Sequence, residues 1–341
     1  MAAPAFAALR RGRSAALPWA NFFLPLRGAC RTSGKNRIMI PTLFSVSYAG
    51  LWGQQTLDLE AFIRKAAKLG YSAVELMGKR PHLSPLDLNA GRLDRIRQCA
   101  KQNRIQIATI AGYTDFTAGE RAAEVPFVEM QLAYVRELAR MAQRLEARVV
   151  RVFTGYSTAE EECQRDWRKC VLAIRECAAL AASYGVCLGV QNHHDTAIST
   201  EAYSEFLDEV DHPNCKAMFD PWVLALQGED LFACARRLAP HTVQTTVADY
   251  VRLKRWAYVP GLVNYRPMPD MVRAVPLGEG FIDLKAFFKG LRAGGFNGFV
   301  AYEMCSPLRG GGSEVNLDRM AAASLRQIKK LIKGEKAKAK G

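Results

Sequence analysis

The chain has 341 residues, 49% of them hydrophobic and 23% charged, a composition that supports a large apolar core and excludes a disordered protein. No run reaches the ~18 consecutive apolar residues that span a bilayer, which excludes a transmembrane protein. The net charge of +14 would suit a nucleic-acid partner, but it is confined to the ends: residues 1–38 hold seven basic and no acidic side chains, and residues 329–341 hold six lysines and one glutamate, leaving +2 for residues 39–328.

Residues 1–38, rich in Ala and Arg, read as a leader. Either they are a disordered or untranslated extension before Met39, or they are a mitochondrial transit peptide; Pro18, Asn21, Pro25 and Arg27 interrupt any secretory apolar centre. Residues 334–341 read as a solvated basic tail. The nine cysteines contain no C-x-x-C pair, which argues against a zinc finger or a disulfide framework. A reducing compartment follows: the cytoplasm, or the mitochondrial matrix if the leader is a transit peptide. Cys163, Cys170 and Cys177 recur every seven residues and read as small buried residues on one helix face.

From residue 38 onward, short β-branched runs alternate with longer amphipathic stretches. In chain order, strands are predicted at 40–47, 73–76, 105–110, 149–153, 187–192, 217–220, 242–247 and 298–303. Between them, helices are predicted at 57–69, 127–145, 160–184, 284–293 and 316–332 from apolar residues at three- and four-residue spacing. Gly70 and Gly294 fall where helix ends are expected. Strands separated by helices pair in parallel, and eight such units over residues 39–333 predict a single-domain (β/α)8 TIM barrel between two disordered basic tails.

In such a barrel the chemistry sits where strands end and the following loops begin. The polar residues there are Glu75, then Thr154, Gly155 and Tyr156, then Gln191, Asn192, His193, His194 and Asp195, then Asp220, Thr245, Thr246, Asp249 and Glu303. A mouth built of carboxylate, amide and imidazole suits a hard or borderline divalent cation and a polyol substrate.

The runs GVCLGVQNHHD, AMFDPW and VPLGEGFIDLKAFFKGLRAGGFNGFVAYEMC resemble the sugar phosphate isomerase and epimerase superfamily with the xylose isomerase-like TIM barrel, over roughly residues 40–330. The resemblance implies a divalent metal, Mn2+ or Mg2+, held by a strand-five Glu, a strand-six Asp, a strand-seven His and a strand-eight Glu, with the two glutamates as acid–base pair. Asp220 and Glu303 match two of these positions. Gln191 stands at the strand-five position, where its amide oxygen is the expected ligand. Thr246 stands where the His is expected, with Gln244 or His241 as alternatives for that register. Gln cannot ionise, so the resemblance does not carry over a symmetrical two-base epimerase mechanism.

His193 and His194 are candidates to fill the gap. In an extended segment their side chains diverge, which favours His193 as the catalytic one, on the face of Gln191, and leaves His194 to bind substrate or to structure the loop. Glu75 is expected to work as acid–base or to bind a polyol, the alternative being a salt bridge to Lys79 or Arg80. Asp249 either binds substrate or anchors Arg252 and Lys254. Arg309, in the loop CSPLRGGGSEVNLDRM, offers a site for a phosphate or carboxylate, although three glycines also suit a plain turn. The connection 249–276, with Trp256, Tyr258, Tyr265 and four arginines, reads as a lid over a sugar, Trp256 binding substrate; a homo-oligomer contact is the rival reading.

The function expected is isomerisation or epimerisation of a small-molecule sugar by proton transfer next to a carbonyl, metal-assisted, using Glu303 with His193 or Glu75. A one-base lyase on an oxidised sugar and a non-catalytic sugar-binding relative are the alternatives. No membrane partner is expected. A DNA-repair endonuclease of the same barrel type needs a histidine-rich zinc cluster, and five histidines around a nearly neutral body do not supply it.

Overall fold

The computed structural model describes residues 39–119, 127–157 and 159–334; the leader and residues 335–341 of the tail lie outside the described residues. Eight strands are parallel and close on themselves: β1 (Ile40–Phe44), β2 (Ala73–Met77), β3 (Gln106–Ala111), β4 (Val149–Val152), β5 (Cys187–Gln191), β6 (Cys215–Met218) and β7 (Thr242–Val247), with β10 (Phe299–Tyr302) between β7 and β1. β2 and β5 are buried along their whole length. A parallel sheet covered on both faces has no solvent side, which is why these strands read as near-continuous apolar runs.

The helices that cover it are α1 (Leu59–Leu69), α2 (Ala90–Gln102), α3 (Phe127–Leu145), α4 (Cys163–Ser183), α5 (Thr200–Val210), α6 (Trp222–Gln227), α7 (Leu231–Leu238), α8 (Leu284–Ala293) and α9 (Glu314–Lys333). Their ends follow from capping chemistry. The Asp58 carboxylate accepts from the Ala61 N–H, and Gly70 closes α1 in the left-handed region at φ 89°. Each helix turns its apolar stripe inward, as α8 does with Leu284, Phe287, Phe288 and Leu291. Gly290 lets α8 lie against α7, where a Cβ would strike the Phe232 carbonyl. No described helix is long and apolar enough to cross a membrane.

Three local expectations are corrected. Residues 45–48 leave β1 as a 3-10 turn. Cys170 and Cys177 are buried in α4, but Cys163, at its first turn, is exposed. The long connection after β7 is an antiparallel ribbon, β8 (Asp249–Val259) and β9 (Asn264–Val275), joined by a turn at Pro260–Leu262. Its base is buried at Tyr250, Ala274 and Val275, while most side chains beyond Val251 are exposed. The ribbon therefore rises from the rim at the C-terminal end of β7.

Candidate active site

The barrel interior below the mouth holds a chain of polar side chains, one from nearly every strand. On β3 the Thr109 hydroxyl donates to Gln244 Oε1 at 2.6 Å. Gln244, on β7, donates through Nε2 to Glu75 Oε2 at 2.6 Å. The other carboxylate oxygen of Glu75 lies 3.9 Å from Arg151 Nη1. Arg151, on β4, donates from Nη1 to Gln191 Oε1 at 3.0 Å and from Nη2 to the Gly112 carbonyl at 3.1 Å. Gln191, ending β5, donates through Nε2 to Asp220 Oδ2 at 2.9 Å.

Arg151 fixes the direction of this chain. A guanidinium only donates, so the Gln191 amide must turn its oxygen to Arg151 and its N–H groups to Asp220. A carboxylate at position 191 would lack the donor for Asp220. The guanidinium is 2% exposed and packs among aromatic rings, its Cζ 4.3 Å from the centroid of Phe153 and 4.8 Å from that of Tyr113. Sequence reasoning missed it. The signal was present: an arginine inside VVRVF, in a strand with no solvent face, needs buried counter-charges.

Three carboxyls share this charge, and burial raises the proton affinity of each. Desolvation pushes Glu75 up to about 7, partly offset by Arg151 and the Gln244 hydrogen bond. It lifts Asp220 to about 6 against the Trp222 N–H, the Gln191 amide and Arg151. Glu303, just past β10, rises to about 8, driven by burial and then by the neighbouring Asp220 charge. The Cys305 thiol donates to Glu303 Oε1 at 3.1 Å, and the Tyr250 hydroxyl lies 3.0 Å from that sulfur. The expected partners of Glu75 are elsewhere: Arg80 pairs with Asp87, and Lys79 sits over the Tyr113 ring.

The two histidines do not diverge. His194 takes a left-handed conformation at φ 67°, which turns the chain so that both rings pack on Phe153, at 4.9 Å for His193 and 4.3 Å for His194. Together with Tyr156, Asn192, Asp220 and Trp222 they line a cavity of about 230 Å³. Burial lowers both imidazoles to about 4, so both are neutral at pH 7. His193 Nδ1 accepts from the His194 N–H at 2.9 Å. Its single proton therefore sits on Nε2, so that His193 presents a hydrogen-bond donor there.

Several expected site residues are engaged otherwise. Asp249 accepts from the N–H groups of Tyr250, Gly278, Gly280 and Ile282 and so anchors the 278–282 turn, while Lys254 pairs with Asp270 and Arg252 sits over the Phe281 ring. The Gly-Glu-Gly of that turn serves the same contact, since a Cβ on Gly280 would strike Asp249. Arg309 is exposed, and its loop is a turn held by Asn316, which donates to the Arg309 and Gly311 carbonyls. Trp256 is 61% exposed on the ribbon. His241 precedes β7, at the end of the barrel away from the mouth, and Thr246 is buried with its hydroxyl unpartnered.

The expected metal ligands do not fit a divalent cation. Gln191 Oε1 already accepts from a guanidinium. Both Asp220 oxygens are taken, Oδ1 by the Trp222 N–H at 2.7 Å and Oδ2 by Gln191. Of these three, only Glu303 keeps an oxygen without a hydrogen bond among the described residues, near a permanent positive charge. Among the described residues no three His, Cys, Asp or Glu side chains are gathered as a ligand set.

A protein-family model described as the xylose isomerase-like TIM barrel matches residues 63–331. A 3-dehydroshikimate dehydratase of Bacillus anthracis is 24% identical over 245 residues, covering 70% of this chain and 83% of that protein. A D-psicose 3-epimerase of Ruminiclostridium cellulolyticum is 23% identical over 304 residues, covering 82% and 94%. The crystal structure of the IOLI protein with a bound zinc atom superimposes with a TM-score of 0.67 at 15% identity, covering 86% of this chain and 98% of that one. That last likeness is one of fold.

Proposed function

The chain belongs to the xylose isomerase-like TIM-barrel family, and on that premise we propose that it is a carbohydrate isomerase or epimerase that moves a proton at the carbon next to a carbonyl. The observation that carries this reading is the gathering of Glu75, Asp220 and Glu303 around Arg151, with proton affinities of about 7, 6 and 8. Acid–base work at neutral pH requires groups that gain and lose protons there, and an ordinary carboxylate does not. Glu303 is the acid–base group. It is the most accessible of the three carboxylates, and among the described residues its one hydrogen-bond donor is a thiol. His193 donates from Nε2 to a substrate oxygen, and Arg151 supplies positive charge as that oxygen becomes enolate-like.

A second reading has its own support. Gln191 removes a base from one side of the mouth, and the relative in Bacillus anthracis is named a dehydratase. Elimination uses one base: Glu303 takes the proton next to the carbonyl, the C–H pair becomes the new double bond, and the hydroxyl on the following carbon leaves as water with the proton returned by Glu303.

The test is incubation in D2O with ketohexoses, including D-psicose and D-fructose, and with 3-dehydroshikimate, followed by NMR. Exchange of the hydrogen next to the carbonyl, or of the epimerised position, is expected, with at least a hundredfold loss in Glu303→Gln, on the order of what removal of a general base costs. Loss of water with a gain of conjugated absorbance selects the lyase. No exchange and no elimination on any of these compounds overturns both readings.

A further inference from the structure

We propose that Arg151 is the resident cation of this mouth, in the place where the fold's relatives lead one to expect a divalent ion, and that the Gln at position 191 is its complement. The inference concerns the protein's own charge design; its catalytic meaning rests on the proton-transfer reading, but its test does not.

The hydrogen-bond chain carries it. A strand-five carboxylate with a metal and a strand-five amide with a guanidinium are two closed solutions to one problem, the neutralisation of Asp220 and Glu303 in a buried mouth. In the second solution the residue at 191 must accept from the cation on one side and donate to Asp220 on the other, which an amide does and an ionised carboxylate does not. Gln191 is placed for that, with Oε1 3.0 Å from Arg151 Nη1 and Nε2 2.9 Å from Asp220 Oδ2. Thr246, at the position where an imidazole was expected, adds a neutral hydroxyl and no strong metal donor.

A second, independent observation points the same way. Arg151 has five N–H donors, and among the described residues its Nε is buried with no hydrogen-bond partner, as is Glu75 Oε1, which only faces Arg151 Nη1 at 3.9 Å. Unpartnered groups at so buried a position mark where a polar ligand completes the network. These groups are a donor and a carboxylate oxygen, matched to an oxygenated organic ligand. A further dication would lie against a guanidinium that cannot lose its proton.

The experiment is Mn2+ titration of the full chain, read by the electron paramagnetic resonance signal of free Mn2+ and by thermal shift. Wild type is expected to take up no Mn2+ below about 1 mM, the weak end of carboxylate-bound cation sites. Gln191→Glu alone is expected to stay equally inert, because the new carboxylate pairs with Arg151. Arg151→Met combined with Gln191→Glu, checked for native circular dichroism, is expected to bind Mn2+ at least tenfold more tightly than Gln191→Glu alone and to gain a Mn2+-dependent rise in Tm. Stoichiometric uptake by wild type that is lost in Asp220→Asn overturns the proposal. So does tight uptake by Gln191→Glu alone, an outcome that remains decisive if the double variant does not fold. A folded double variant that stays inert overturns the assignment of Arg151 as the displacing charge. Deuterium exchange plays no part in these outcomes, so failure of the proton-transfer reading would appear as inert substrates beside an unchanged Mn2+ result.

Discussion

Replacing Glu75 by Gln tests the electrostatics of the mouth without changing its shape. Glu75 is fully buried, with one oxygen held by Gln244 at 2.6 Å and the other 3.9 Å from Arg151. At an effective dielectric of ~20, an ion pair at that distance is worth about 4 kcal/mol of attraction. Burial nonetheless wins, because the carboxyl's proton affinity rises from 4.5 to about 7. An acid with a raised folded-state value carries no penalty below about pH 4.5, where it is protonated in both states. As pH climbs towards 7 the unfolded chain ionises while the folded one holds its proton, so folding loses stability, and above about 7 the loss is constant. Between about pH 5 and about pH 8 the loss amounts to about 2.5 kcal/mol. Glu75→Gln is uncharged throughout. Urea denaturation of both proteins at the two pH values should show the variant gaining about 2.5 kcal/mol on wild type as pH rises, with other titrating groups cancelling in the double difference. A gap that does not move with pH, or that widens in favour of wild type, would refute the reasoning and make the Arg151 attraction the larger effect.

Two other substitutions separate structural from functional roles. Asp249→Asn keeps one acceptor oxygen but sets an N–H₂ against the donors of the 278–282 turn; a loss of about 2 kcal/mol in urea unfolding is expected, whereas a substrate-binding role would leave stability unchanged. Trp256→Ala, on the exposed ribbon, should leave the unfolding midpoint within about 0.5 kcal/mol of wild type; a larger drop would mean that the indole is packed in solution.

The barrel was legible because its signals are local and repeated. Runs such as AVELM and CLGVQ have no polar face, and helices such as α1 and α8 show both period and caps. The ribbon was not, because Pro267 and Pro269 break the strand pattern of β9 and exposure on both sides removes the alternation. Within the site, Asp220, Glu303, Glu75 and Gln191 were readable as polar groups closing apolar strands. Arg151 is less legible, because it lies inside β4 and not among the polar groups that close the strands. The turn at His194 was invisible for another reason: a left-handed residue that is not glycine leaves little trace in sequence.

Burial raises the proton affinity of all three carboxyls in the mouth, and their hydrogen bonds oppose that rise to different degrees. A guanidinium cannot shed its proton, so burying Arg151 obliges at least one neighbouring carboxyl to remain ionised. Asp220 is held by two N–H donors, one backbone and one amide, which oppose the rise that burial causes and leave it at about 6. Glu75 has a single amide donor and stands at about 7. Glu303, with a thiol as its one donor among the described residues, is raised by burial and then by the Asp220 charge to about 8. On the proposed acid–base reading, Asp220 and Glu75, which lies 3.9 Å from Arg151, share the neutralisation of the guanidinium while Glu303 exchanges the proton. Gln191 makes that division possible, since its amide spends the donors on Asp220 and none on Glu303. Replacing it with a carboxylate would hand the counter-ion role to position 191 and push Asp220 towards the protonated side.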